Sequence, residues 1–151
     1  MRDFRSWSHA QLASLLARKS PEFDDIATNN LSDAYLLEEV AAGRAVFEVD
    51  EHAVAVVRPE GWHPDQPASS LWLVYVEPGA RRAGHGRALV KRVIVKHVKD
   101  YPMVLLCHGE ARVRFFKRCG FALDHTTAAG SWMVRMPRKP RRVARPASRP
   151  A

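Results

Sequence analysis

Apolar positions along the chain change their spacing several times, and each change marks a new element. Leu12, Leu15 and Leu16 form one stripe at helical spacing behind Ser8, a residue suited to capping, and predict a helix over His9 to Ala17. Pro21 bars a direct continuation, and Asn29-Asn30-Leu31-Ser32 offers the next cap. A second helix is expected from about Asp33 to Ala42, burying Ala34, Leu36, Leu37, Val40 and Ala41 before Gly43 stops it. The spacing then shortens. Val46 to Val49 and Ala53 to Val57 read as two strands joined by Asp50-Glu51-His52, a short hairpin connection, with a loop over Gly61 to Ser70.

Leu71 to Val76 is an apolar, aromatic and β-branched run that predicts a strand, closed by Pro78, which lacks a backbone donor and has a fixed φ. Helical spacing returns at Ala88, Leu89, Val93 and Ile94 and carries a basic helix to about Val98. Pro102 to Cys107 is apolar throughout, as expected of a buried parallel strand, and a right-handed crossover would lay the helix over one face of the sheet. A further helix over about Ala111 to Cys119 leads through Gly120 into strands near Phe121 to Asp124 and Ser131 to Met136. That order predicts an α/β or α+β domain with a mixed sheet and no internal repeat.

Composition fits a single domain: 151 residues, 46% of them hydrophobic, suffice for one core. The domain is expected over residues 1–136. The net charge of +8 points at first to nucleic acid, but Pro137 to Ala151 carries six of the arginines and lysines and no acid. Removing them leaves +2, so the basicity is largely that of a Pro/Arg tail over 137–151, which lacks apolar periodicity and is expected to be disordered. Nucleic-acid contact is therefore a reading for the tail alone, beside a plain solubilising role. There is no leader, long apolar span or lipidation motif, and the expectation is a cytoplasmic protein without membrane contact. Cys107 and Cys119 lie beside apolar stretches and read as buried, reduced thiols, and the seven histidines do not fall at metal-ligand spacing.

The most informative stretch is Val76 to Leu89, a strand end, a glycine-containing turn and a basic helix start in unbroken order. Gly84 and Gly86 let a ligand approach the backbone, and the unpaired N–H groups of a helix N-terminus attract anions such as a pyrophosphate. A dinucleotide-binding fingerprint would require a third glycine and a downstream acid, and neither is present.

The segment Arg81-Arg82-Ala83-Gly84-His85-Gly86 resembles the acyl-CoA signature of the GCN5-related N-acetyltransferase (GNAT) superfamily: Arg or Gln, two residues, Gly, one residue, Gly or Ala. The strand-then-proline entry at Val76-Glu77-Pro78 and the later Phe115-Phe116-Lys117-Arg118-Cys119-Gly120-Phe121, similar to the family's helix ending in Gly-Phe, extend the likeness over about Ser70 to Met136. The resemblance implies a splayed mixed sheet of about six or seven strands flanked by about four helices. Acetyl-CoA, or another acyl-CoA, would then be the co-substrate, bound where the strands Leu71 to Val76 and Pro102 to Cys107 part. Main-chain groups near Val74 and Val76 would hold the pantetheine arm, and the N–H groups from Arg82 to Arg87, through Ala83, Gly84, His85 and Gly86, would hold the pyrophosphate. Arg81, Arg82, Arg87, Lys91 and Arg92 would add positive charge. His85 stands where an aliphatic residue is usual, and Arg82 replaces a common glycine.

Transfer to an amine needs a neutral amine, a polarised thioester carbonyl and a proton for the thiolate. The N–H of Val76 is a candidate to polarise the carbonyl. The tyrosine that protonates the thiolate in many family members is Phe116 here, and a phenyl ring has no proton to give. A CoA thiol with a pKa of roughly 8.5 makes that loss survivable near neutral pH. His108 is the first candidate base, followed by Glu110, Glu77 and Tyr75. In the plainer reading Glu110 only favours a helix start and His108 only lines the turn. The resulting expectation is an N-acetyltransferase, monomeric or homodimeric, acting on a primary amine of a small molecule or protein by direct attack. A catalytically weak binding module that acts on a partner protein is the alternative.

Overall fold

The computed structural model describes residues 6–17, 32–59 and 67–138. The 60–66 part of the loop and the tail from 139 onward lie outside the described residues, as does Pro21. Helices α1 (His9–Ala17) and α2 (Asp33–Ala41) are followed by strands β1 (Val46–Val49), β2 (Ala53–Arg58) and β3 (Ser69–Val76). After a 3₁₀ turn at Pro78–Ala80 come α3 (His85–His97), β4 (Met103–Cys107), α4 (Glu110–Arg118), β5 (Ala122–Thr127) and β6 (Gly130–Arg135). The six strands form one sheet ordered β1-β2-β3-β4-β6-β5, antiparallel except for β3 and β4. The expected mixed sheet with four helices is thus present.

Local chemistry accounts for the element ends. Ser8 Oγ accepts from the N–H of Gln11 and the Gln11 side chain accepts from the N–H of Ser8, a reciprocal capping box that starts α1. Ser32 Oγ caps α2 through the N–H of Tyr35. Past α2 the chain turns at Gly43, whose φ of +79° is easy only for glycine. The hairpin turn is tied by Asp50 Oδ1, which accepts from the N–H of His52, and by the Asp50 N–H bond to the Ala53 carbonyl.

Each face of the sheet carries its own core. On one, Leu12, Leu15, Leu16 and Leu36 of α1 and α2 bury against Val54, Val56, Trp72, Leu73 and Tyr75. On the other, Leu89, Val90 and Val93 of α3 and Phe116 of α4 bury against Ala55, Leu71, Val74, Leu105 and Met133. Past an irregularity at Trp72, period-two alternation divides the end of β3 between them: Leu73 and Tyr75 on one side, Val74 and Val76 on the other.

Helix α2 differs from expectation. It ends at Ala41, Ala34 and Ala41 are exposed, and Glu39 is buried beside Leu36. The carboxylate is tolerated because Arg44 donates two bonds to Oε2, at 2.8 and 2.6 Å, and Arg58 donates to Oε1 at 2.5 Å. The Arg44 hydrogen bond, together with the Arg58 charge, outweighs desolvation and holds Glu39 below the usual carboxylate range. Arg58 lies over the Trp72 ring, 5.9 Å from its centroid. Periodicity could mark position 39 as inward but not supply its two partners, which lie 5 and 19 residues away. Among the described residues no helix is long and apolar enough to cross a membrane.

Candidate functional site

Strands β3 and β4 are paired only at Ser69 with Met103 and Ser70 with Val104. Beyond that point β4 stays with β6 through Cys107, while β3 stays with β2 through Val76. The two parallel strands therefore part, and a gap opens in the middle of the sheet. The ladder with β2 shows which backbone groups face it. Glu77 donates its N–H to the His52 carbonyl at 2.9 Å, which fixes the antiparallel alternation: Tyr75 and Leu73 bond toward β2, and Val74 and Val76 turn their polar groups toward the gap. One of those groups is taken, since Arg81 Nε donates to the Val76 carbonyl at 2.9 Å. The Val76 N–H faces the gap.

The gap opens into a cleft of about 610 Å³ walled by β3, the turn before α3, the start of α3 and one face of α4. Val74, Tyr75 and Val76 line it from the strand; Arg81, Arg82, Gly84, His85, Gly86 and Arg87 line it from the turn and helix. Ala83 is exposed in the turn and is not among the lining residues. Gly84 is the N-cap of α3 at φ +87°, and the first helical bond is Ala88 N–H to the Gly84 carbonyl. The N–H groups of His85, Gly86 and Arg87 precede that bond and have no acceptor within the helix. At Gly86 a Cβ would come 3.0 Å from Val76 Cγ2 and 3.4 Å from Phe115 Cζ, so glycine lets α3, β3 and α4 meet closely. Arg82 is the one non-glycine residue with positive φ (+69°) among the described residues. This is the physical reason a glycine suits that position; the arginine bears the strain and keeps its amide.

Side chains in the cleft divide into held and open. Arg81 is held by the Val76 carbonyl and lies 5.5 Å from the centroid of the Tyr75 ring. His85 packs its ring against His52 of the β1–β2 turn, centroids 4.3 Å apart. Arg92 turns away to donate to the Val49 carbonyl at 2.7 Å, and Lys91 is exposed outside the lining. From α4 come Ala111, Arg112, Phe115, Phe116 and Arg118. Of these, only Phe116 stood out in the sequence as a site residue. The spacing of Ala111, Phe115 and Arg118, at i, i+4 and i+7, was the available signal for the rest.

Of the four candidate bases, only Tyr75 lines the cleft. His108 is exposed at the end of β4, and its ring lies over the β5–β6 turn, where a Cβ on Gly130 would approach Nδ1 to 3.0 Å. Glu110 projects into solvent, 4.0 Å from Arg114 on the next turn. Glu77 is half-buried at the end of β3 and is not a lining residue. Among the described residues the cleft lining has five arginines and no carboxylate. Phe116 is buried between Phe115 and Phe121, with edge-on ring contacts at 4.9 and 5.8 Å. Burial pushes the Cys119 thiol up to about 11 and raises that of Cys107, so neither is poised as a thiolate. Among the described residues no three His, Cys, Asp or Glu side chains are grouped to hold a metal ion.

Open amides, a glycine approach and a cationic wall are the elements that a diphosphate-bearing thioester requires. The family model of the acetyltransferase (GNAT) domain matches residues 35–123. Among solved structures, a histone acetyltransferase HPA2 and related acetyltransferase from Corynebacterium glutamicum superposes with a TM-score of 0.60 at 18% identity, covering 88% of this chain and 93% of that one. The ribosomal-protein-S18-alanine N-acetyltransferase of Escherichia coli gives 0.53 at 17% identity, over 91% and 96%. A PaiA N-acetyltransferase from Thermoplasma acidophilum, in complex with coenzyme A, gives 0.59 at 14% identity, over 87% and 96%. No protein of curated function matches the sequence.

Proposed function

Since this chain belongs to the GNAT acetyltransferase family, we propose that it transfers an acetyl group from acetyl-CoA to a primary amine by direct attack. The observation that carries this reading is the parting of β3 and β4 after two residue pairs, which turns the backbone of Val74 and Val76 toward a cleft beginning at the Gly84–Gly86 turn. In it, the N–H groups between Arg82 and Arg87 hold the diphosphate, and the edge of β3 receives the pantetheine arm as an added strand. The Val76 N–H, next to the carbonyl clamped by Arg81, donates to the thioester oxygen and stabilises the negative charge that grows there during attack.

Proton traffic is the sparing part of the site. Phe116 brings a phenyl ring to the cleft and no donor, and the lining holds no carboxylate base among the described residues. Tyr75 is the candidate with a place in the lining; His108, Glu110 and Glu77 would act through intervening water. The buried, raised thiols favour direct attack over an acyl-cysteine route. The amine acceptor is a small molecule or a protein, and the site is that of a cytoplasmic monomer or homodimer.

A second reading keeps acyl-CoA binding and assigns the output to a partner protein, and it rests on Phe116. One experiment separates the two. Acetyl-CoA raises the melting temperature under both, because a ligand selective for the folded state stabilises it. Thiol release with a panel of amines and basic peptides occurs only under the first. No thermal shift and no calorimetric heat with acetyl-CoA or CoA would overturn both. A role for the basic tail in nucleic-acid contact is tested by removing 137–151, which should abolish salt-sensitive binding and leave CoA binding intact.

A further inference from the structure

The segment from Pro78 to Lys99 holds seven arginines and lysines and no acid, and the structure accounts for only some of them. Arg81 is bound to the Val76 carbonyl, Arg92 to the Val49 carbonyl, and Lys96 to Glu48. On α4, Arg114 faces Glu110 and Arg112 reaches the His108 carbonyl at 3.4 Å. Arg82, which stands in the turn itself, and Lys99 have no acid or carbonyl partner among the described residues, and the same holds for Arg87, Lys91 and Arg118. These three lie together: Lys91 is one turn beyond Arg87 on the exposed side of α3, and Arg118 joins Arg87 in the cleft wall from the end of α4. All three are close enough to the buried Cys119 to oppose, with their charge, the rise of its pKa.

That grouping is unfavourable by itself. Like charges at i and i+4 repel, and Arg87 stands in the first turn of α3, the end of a helix that disfavours cations. Arg118, in the last turn of α4, fits its own helix and is the only one of the three that local chemistry explains. The main-chain amides of the turn, with Arg82 among them, suffice for one diphosphate, so the three open cations of α3 and α4 beside it answer to another anionic group. Acyl-CoA carries one, a dianionic phosphomonoester on its ribose. We infer that Arg87, Lys91 and Arg118 form a separate subsite for this phosphomonoester, so that the protein selects CoA over dephospho-CoA. This rests on the acyl-CoA reading above.

Calorimetric titration with CoA and with dephospho-CoA, on the wild-type protein and on the Lys91→Gln and Arg118→Gln variants, tests it. CoA is expected to bind roughly tenfold or more tightly than dephospho-CoA, a charge-assisted contact being worth about that factor. Each substitution should shrink the ratio toward unity by weakening CoA alone and leave dephospho-CoA unchanged. Both side chains are exposed, so the fold is expected to persist, and far-UV circular dichroism checks it. Equal binding of the two nucleotides by the wild type, or an equal loss of both in the variants, overturns the subsite while acyl-CoA binding stands. Binding of neither nucleotide overturns the acyl-CoA reading itself.

Discussion

The two faces of the sheet treat charge in opposite ways. On the α1–α2 face a buried acid, Glu39, receives bonds from Arg44 and Arg58 within the protein, and the second arginine is further held over Trp72. On the α3–α4 face, the described lining of the cleft presents five arginines and no acid; main-chain carbonyls hold Arg81 and Arg112, and Arg82, Arg87 and Arg118 are left open. Charges neutralised in place maintain the fold, whereas charges left open at a cleft answer to something from outside. The lesson is that net charge misleads: +8 over the whole chain conceals residues 1–77, with thirteen acids against six arginines and lysines, and a cationic remainder.

Substitutions on the two faces should therefore separate stability from binding. The largest effect is expected at Gly86, where a valine would drive side-chain atoms into Val76 and Phe115. Calorimetry should show acyl-CoA affinity down by about 100-fold or more, and thermal melting a loss of about 1–3 kcal/mol from overpacking. Glu39→Ala should do the reverse, lowering stability by about 2 kcal/mol in denaturant titration through the loss of charge-assisted bonds, with CoA affinity unmoved. A matching loss of CoA affinity would break the comparison.

Smaller effects sharpen it. Phe116→Tyr restores a proton donor to the cleft wall and should raise the rate of thiol release by up to about tenfold without changing CoA affinity; a thiolate is an easy leaving group, which limits the gain. An unchanged rate would place thiolate protonation outside the slow step. The smallest effect is at Glu48, where the two regions are joined across β1 and α3. Its carboxylate lies 2.7 Å from His97 Nε2 and 2.9 Å from Lys96 Nζ. Desolvation works to raise its pKa, but the bonds from His97 and Lys96 prevail and lower it. A carboxylate depressed in the folded state stabilises it above the unfolded value, and that contribution fades as pH falls through the folded value. Melting temperatures of the wild type and Glu48→Gln should thus differ above the ordinary carboxylate pKa and converge in more acid solution. With Lys96 largely exposed, the difference should stay under about 1 kcal/mol.

Much of the architecture was open to inspection in the sequence because local rules act there. The caps at Ser8 and Ser32, the hydrophobic spacing of α1 and α3, the hairpin at Asp50 to His52 and the glycine turn before α3 are all set by residues a few positions apart. For the same reason the loop amides were legible: backbone donors at a helix start depend on nothing remote. The glycine spacing also pointed to the family before any packing was known. Left open was whatever depends on long-range placement. His108 and Glu110 stand beside β4 in the chain, yet the fold sets the His108 ring over the β5–β6 turn and Glu110, in the first turn of α4, in solvent. Arg112 and Arg118 read as ordinary charges on a helix until α4 packs against the gap and makes them its wall. The partners of Glu39, and the sorting of held arginines from open ones, were likewise decided only by the fold, because a charge takes its meaning from the groups within a few ångströms in space and not from its neighbours along the chain.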